Sequence, residues 1–365
     1  MSDSISGAAS GPGQPGGGQS GWRVSLIAAA CAAVVAAAIA IGVISLWPKP
    51  ASHRPTPAAP AAPAAPAGPE TAYVASFGAG TVTPIDVATG RAGTQIQLGS
   101  AASPWGIAIA PDGKTAYVAN FSGTVTPIDL ATGRAGTPIQ AGSAGGPWAI
   151  AVTPDGKTAY VSGYGDDTMT PVDLATSGVG TPIQLGTETG EAQITIAPDG
   201  KTAYVSGYGQ GTVTPVDLAT GIAGRPIQAG VGPGEIAIAP DGKTAYVADI
   251  GGTVTPIDLA TGTADAPIQT GGSPAAIAIT PDGKTAYVTN FYGGTVIPVD
   301  LATGIAGTPI RVGDQPNGIA ITPDGRTAYV TNSGGDTVTP IDLATATAGT
   351  PIQVGRGPQG IVITP

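Results

Sequence analysis

Seven near-copies of one unit occupy the chain from about residue 70 to its end. The tyrosines that mark them, Tyr73, Tyr117, Tyr160, Tyr204, Tyr246, Tyr287 and Tyr329, lie 44, 43, 44, 42, 41 and 42 residues apart. The stretch Gly106–Gly142 is representative: four short apolar runs, three tight connections and few long side chains. A period of this length is one supersecondary unit that cannot bury its apolar faces alone and must stack against its neighbours. The copies begin out of phase. Thr71-Ala-Tyr-Val matches the second run of the unit with no first run before it, and the missing run appears at the other end as Gly360-Ile-Val-Ile-Thr-Pro365. First runs therefore start near Ile107, Ile150, Ile194, Ile236, Ile277, Ile319 and Ile361. The offset predicts a ring whose first blade combines the C-terminal strand with three N-terminal ones, which removes exposed sheet edges.

Within the unit, Ile107–Ala110 is small and apolar on both faces, as expected of an inner strand held between neighbouring blades. Pro111-Asp112-Gly113 supplies a fixed φ, a side-chain turn bond and a permissive third position, and makes a hairpin to the second strand, Ala116–Ala119. The third strand runs near Thr124–Leu130 and the outer one over Thr137–Ala141. Pro84, Pro127, Pro171, Pro215, Pro256, Pro298 and Pro340 interrupt every third strand, so each should carry a bulge or an unpaired position.

The first 69 residues follow other rules. Residues 1–21 have too little apolar surface to offset ordering entropy and read as a disordered Gly/Pro-rich tail. Val24 to Trp47 holds no charge, and with Trp22 and Trp47 at its ends segment 22–47 reads as one transmembrane helix or uncleaved signal anchor. A signal peptide, cleaved to leave a secreted protein, is the competing reading, but its apolar core is ordinarily shorter. Residues 48–69 form a Pro/Ala-rich linker, an extended spacer between the membrane and a domain spanning 70–365.

Charge and composition remove several function classes. Residues 70–365 carry 11 basic and 23 acidic side chains, the opposite of a nucleic-acid footprint. The single cysteine, Cys31, and the single histidine, His53, both precede the repeats. The repeat domain thus has no thiol or imidazole for metal binding or nucleophilic catalysis, and no cofactor motif. Carboxylates remain, and a hydrolase or lyase built on them needs one specialised facing pair, whereas most of these acids recur in every unit.

Thr285-Ala-Tyr-Val-Thr-Asn290 and Thr327-Ala-Tyr-Val-Thr-Asn332 follow Pro-Asp-Gly-(Lys/Arg) and precede a Gly-rich turn and a strand such as Asp336–Leu343. This arrangement resembles the YVTN-type seven-bladed β-propeller repeat family over residues 70–365. The resemblance implies an all-β propeller of four-stranded antiparallel blades with split-blade closure, of the kind found in surface-layer-like extracytoplasmic proteins. It also places the propeller outside the membrane, although Lys49 and Arg54 after the apolar segment against Arg23 before it lean the other way.

Function is sought where the repeat is broken. In a four-stranded meander the second-to-third and outer-to-inner connections emerge on one face. There Trp105, Phe121, Trp148, Tyr164 and Tyr208 are candidates to stack a glycan, peptide or protein partner from the cell envelope. The alternative is that they cap the packing between blades, in a structural envelope component without a discrete ligand. Asp166, Asp167, Glu188, Glu191 and Glu235 fall on the same face and are weak candidates for Ca²⁺, since none has an established calcium-loop spacing. The recurring Asp112-type and Asp129-type residues lie on the opposite face, where a turn carboxylate accepts backbone N–H bonds.

Overall fold

The Thr-Ala-Tyr-Val segments are the second strands of seven blades in the computed structural model, which describes residues 70–99, 101–142, 146–165, 167–186, 190 and 192–365. The tail 1–21, the apolar segment 22–47 and the linker 48–69 lie outside the described residues. Among the described residues no helix is long and apolar enough to cross a membrane.

Blades are numbered from the N-terminus. Blade 2 is an antiparallel meander of Pro104–Ile109, Thr115–Asn120, Thr124–Asp129 and an outer strand broken into Arg134–Ala135 and Ile139–Gln140. Inner strands of blades 3 to 7 are Pro147–Val152, Ile194–Ile196, Pro233–Ile238, Pro274–Ile279 and Pro316–Ile321. Blade 1 takes its inner strand from the C-terminus: Pro358–Ile363 pairs antiparallel with Thr71–Ser76, through Ala72↔Ile363, Tyr73↔Val362 and Val74↔Ile361. The same strand packs against the inner strands of blades 2 and 7, so the ring is closed. Thr364 N donates to Thr71 O, and Thr71 N to Thr364 Oγ1, at 3.0 and 2.9 Å.

The Ile/Ala alternation of the inner strand explains how blades fit together. Ile107 and Ile109 pack with Tyr73, Val82 and Ile96 of blade 1, whereas Ala108 and Ala110 pack with Ile150 and Val152 of blade 3. Each blade thus presents a bulky face to the preceding one and a small face that receives the next. Ile85, Ile107, Ile128, Ile150, Ile194, Ile236, Ile257, Ile277, Ile319 and Ile341 are fully buried, each contributing about 1.5–3 kcal/mol by burial.

The third-strand prolines cause no bulge. Tyr73↔Pro84 and Tyr117↔Pro127 lie in unbroken register, and the unpaired position is found on the other side. The proline carbonyl accepts from the outer chain, Gly93 N to Pro84 O at 2.7 Å and Gly136 N to Pro127 O at 2.8 Å. The missing N–H faces the break between the two outer pieces, so no ladder bond is lost. A Cβ on Gly93 would come within 3.2 Å of Pro84 Cγ, a close contact that blade 5 accommodates with Asp265, whose N donates to Pro256 O at 2.8 Å. The outer strand consequently starts earlier than the 137–141 stretch expected from sequence, with Pro138 between its two pieces.

The Asp-rich turns behave as the sequence indicates. Asp112 Oδ1 accepts from Lys114 N, and Gly113, at φ 69°, closes the hairpin onto Ala110 O. After each third strand an aspartate holds its turn: Asp129 Oδ1 accepts from Thr132 N at 2.7 Å and Thr132 Oγ1 at 2.8 Å. The threonine side-chain and backbone bonds hold this carboxyl below the ordinary carboxylate range.

Candidate functional site

Irregularity falls in the inner strand, at the end of the ring opposite the Asp turns. Pro104 pairs with Asn120 but Ile107 with Val118, so Trp105 and Gly106 occupy a bulge with one residue more than the partner strand. Blades 1, 3, 5, 6 and 7 show the same register shift. A bulge re-aims side chains at the rim of a sheet, and here it presents the two least repetitive positions of the unit at one end of the axis.

On blades 1 to 3 these positions and the neighbouring turns build one aromatic cluster. Trp105 and Trp148 stack with ring centroids 3.9 Å apart and planes at 30°. Phe77 meets Trp105 edge-on at 5.2 Å, and Tyr164 lies 5.3 Å from Trp148. Phe121 sits over them, 6.4 Å from both Phe77 and Trp148 and 5.9 Å from Tyr164. Four of the five aromatic candidates therefore come together. The two tryptophans are buried against each other, while Phe121 is 38% exposed and Tyr164 partly so. Tyr208 belongs to a separate cluster over blades 4 to 6, with Ile250, Ala275 and Phe291. Val231 and Tyr292 extend the apolar surface there, both largely exposed.

The rest of the ring end is polar. Asn317 Nδ2 of blade 7 donates to Gln359 Oε1 of blade 1, at the positions that hold the tryptophans in blades 2 and 3. Hydroxyls of the second strands tie consecutive inner strands together. Thr331 Oγ1 accepts from Gly318 N and donates to Gln359 O, both at 2.8 Å, and Thr289 Oγ1 does the same between Ala276 N and Asn317 O.

Gln193 and Glu235 depart furthest from the repeat. Their position is Gly106, Ala149, Ala276, Gly318 or Gly360 in the other blades; at the glycines the next inner strand comes close, a Cβ on Gly106 standing 2.8 Å from Trp148 O and one on Gly318 2.6 Å from Gln359 O. Glu235 Oε2 accepts from Ile277 N of blade 6 at 3.0 Å. Burial pushes its carboxyl well above the usual carboxylate range, against the smaller opposing effect of that bond. Gln193 is 2% exposed, and neither amide atom of its side chain has a hydrogen-bond partner. Trp105 Nε1, Trp148 Nε1 and Asn317 Oδ1 are also buried without partners. Asp249 is buried as well; burial raises its carboxyl, while Thr253 Oγ1 and Gly251 N donate to it.

Of the cation candidates, Asp166, Glu188 and Glu191 lie outside the described residues. Asp167 adopts φ 54° with its carbonyl accepting from Leu185 N, and Glu235 sits within an inner strand. No three His, Cys, Asp or Glu side chains come together among the described residues. Gln193 and Asp249 were not singled out from sequence. The available signal was the same one that marked the aromatics, a polar residue where the other copies carry a small or neutral one.

Comparison with known proteins supports the fold and stops there. The structure is similar to Kuenenia stuttgartiensis hydrazine synthase at 24% identity and TM-score 0.66, covering 73% of this chain and 90% of that one. It is also similar to a functionally unknown protein from Desulfotomaculum acetoxidans DSM 771, at 17% identity and TM-score 0.67, covering 80% and 98%. The family described as histone H3 K4-specific methyltransferase SET7 N-terminal matches residues 140–183, 178–224 and 269–311, each segment roughly one repeat long. No curated protein matches the chain.

Proposed function

We propose that this chain is a membrane-tethered, extracytoplasmic propeller of the YVTN type that binds a cell-envelope glycan, peptide or protein at its aromatic end. The observation that carries the reading is the polarity of the ring. Thr71–Ser76 runs from the Asp-turn face to the aromatic face, and Pro358–Ile363 runs back. Glu70 and Pro365 therefore both lie on the turn face, Glu70 near Asp324 and Pro365 beside Gly113. A linker joined at Glu70 holds the domain by that face and turns Phe121, Tyr164, Tyr208 and Tyr292 away from the membrane. Partly exposed aromatics over a rigid floor make a stacking surface with little ordering cost.

The mutual burial of Trp105 and Trp148 favours a second reading, in which the cluster only caps blade packing within a structural envelope component. Binding of the detergent-solubilised full chain to glycan and peptide arrays separates the two. Retention by the wild type and loss in Phe121→Ser is expected; identical binding by both, or none by either, refutes a binding rim. Topology is read with Cys31→Ser, Tyr292→Cys and a membrane-impermeant maleimide. Labelling of intact cells is expected, and labelling only after permeabilisation overturns the extracytoplasmic placement.

A further inference from the structure

Five blades place Gly or Ala where blades 4 and 5 place Gln193 and Glu235, so the fold does not need polar side chains there. They are costly. Two unpaired amide atoms each forfeit a hydrogen bond held in water, and a buried carboxyl with one backbone partner is poorly compensated. Gln193 and Glu235 occupy the same register on adjacent inner strands. The residues just before them are Ala192 and Gly234, where blades 2 and 3 carry tryptophan, and the aromatic ring nearest this arc is that of Tyr208, packed with Ile250.

The unpaired atoms specify what would complete the site. Gln193 Oε1 lacks a donor and Gln193 Nε2 lacks an acceptor. A hydroxyl both donates and accepts, and two neighbouring hydroxyls match the paired oxygen and nitrogen of a primary amide. The acidic domain disfavours an anion; of the basic side chains at this end, Arg311 is exposed on the outer strand of blade 6 and Arg356 is engaged with Gly78 O at 2.8 Å. We infer that Gln193 and Glu235 form a subsite for the vicinal hydroxyls of a neutral sugar, whose carbon face lies towards the aromatic side of the rim. This inference rests on the reading of that end as a ligand-binding face and assigns its ligand class.

The test is titration of the full chain with D-glucose, D-galactose, D-mannose, D-glucuronate and D-glucosamine, followed by calorimetry and tryptophan fluorescence. At least one neutral hexose is expected to bind. Gln193→Ala should weaken that hexose about tenfold, equivalent to about 1.4 kcal/mol, with an undiminished melting temperature. Glu235→Gln, which preserves a neutral hydrogen-bonding group, should keep affinity within about twofold. Hexose binding that is lost in Phe121→Ser but unchanged in Gln193→Ala overturns this subsite and leaves the rim reading standing. Tighter binding of glucosamine or glucuronate than of every neutral hexose overturns the ligand class. Array binding of peptides alone, with no hexose bound, overturns the inference while sparing the rim. No binding of any probe removes both.

Discussion

Ring closure rests on one short strand, and its strength can be measured against an internal standard. Ile361, in the C-terminal strand, is fully buried among Ala72, Val74 and Ile85 of blade 1 and Ala320, Tyr329 and Val338 of blade 7. Ile107, at the same position of blade 2, is equally buried but belongs to a blade made from continuous chain. Truncating a buried Ile to Ala costs about 2–5 kcal/mol through lost transfer energy and a residual cavity. If the terminal strand is held as firmly as an internal one, Ile361→Ala and Ile107→Ala should fall in that range together, within about 1 kcal/mol of each other. For a domain near 300 residues that corresponds to a drop of roughly 3–8 °C in Tm. Guanidinium unfolding followed by tryptophan fluorescence gives both values, with an unchanged slope showing that the unfolded reference is the same. A small effect for Ile361→Ala beside a full effect for Ile107→Ala would mean a frayed seam, and would refute closure by the C-terminal strand.

The interblade hydroxyls give a second prediction. Thr331→Val strands Gly318 N and Gln359 O and should cost about 1–3 kcal/mol, whereas Thr331→Ser should restore most of it in the same denaturation assay. Trp148→Ala should destabilise by about 3–5 kcal/mol, but Phe121→Ala by no more than about 1 kcal/mol; equal effects would contradict the burial of one and exposure of the other. Glu235 supplies the pH dependence. Its folded carboxyl is raised by burial above the ordinary value of 4.5, so the wild type loses stability as pH climbs from there towards the folded value. Glu235→Gln should therefore melt higher than wild type at pH 7 and converge with it near pH 4. Identical Tm values at pH 7 would show that the carboxyl carries no penalty.

The repeat made the architecture legible because each blade meets the same steric demands. The Pro-Asp-Gly hairpin needs its glycine at positive φ, the Ile/Ala alternation needs a neighbour on each side, and the offset between Thr71 and Pro365 needs a ring. The inner-strand bulge was hidden for another reason: the proline that opens it, as at Pro104, Pro147, Pro233, Pro274, Pro316 and Pro358, reads in sequence as the end of a loop and not as the first residue of a strand. The third-strand proline, the more visible oddity, costs nothing once the outer strand breaks opposite it. The candidate site was half legible. Four aromatics were placed together by topology alone, but the stacking of Trp105 on Trp148 follows from the bulge geometry. Gln193 and Glu235 acquire meaning only when the next blade's backbone is seen to approach within contact of the equivalent glycines.

The two ends of the ring are under different constraints, and the proposed site follows from this difference. At the turn face the seven aspartates Asp86, Asp129, Asp173, Asp217, Asp258, Asp300 and Asp342 each close their own loop through a threonine, so substitution there costs a turn. At the other end no single side chain is required: tryptophan, asparagine, glutamine, alanine and glycine all occupy the bulge. A position that tolerates glycine gains nothing structurally from a buried, unpaired glutamine or a desolvated glutamate. Packing explains the tryptophans, since stacking buries both. It does not explain Gln193 beside Glu235, where a glycine or alanine would serve the fold better. The excess polarity of that arc is therefore the feature on which the proposed sugar subsite rests.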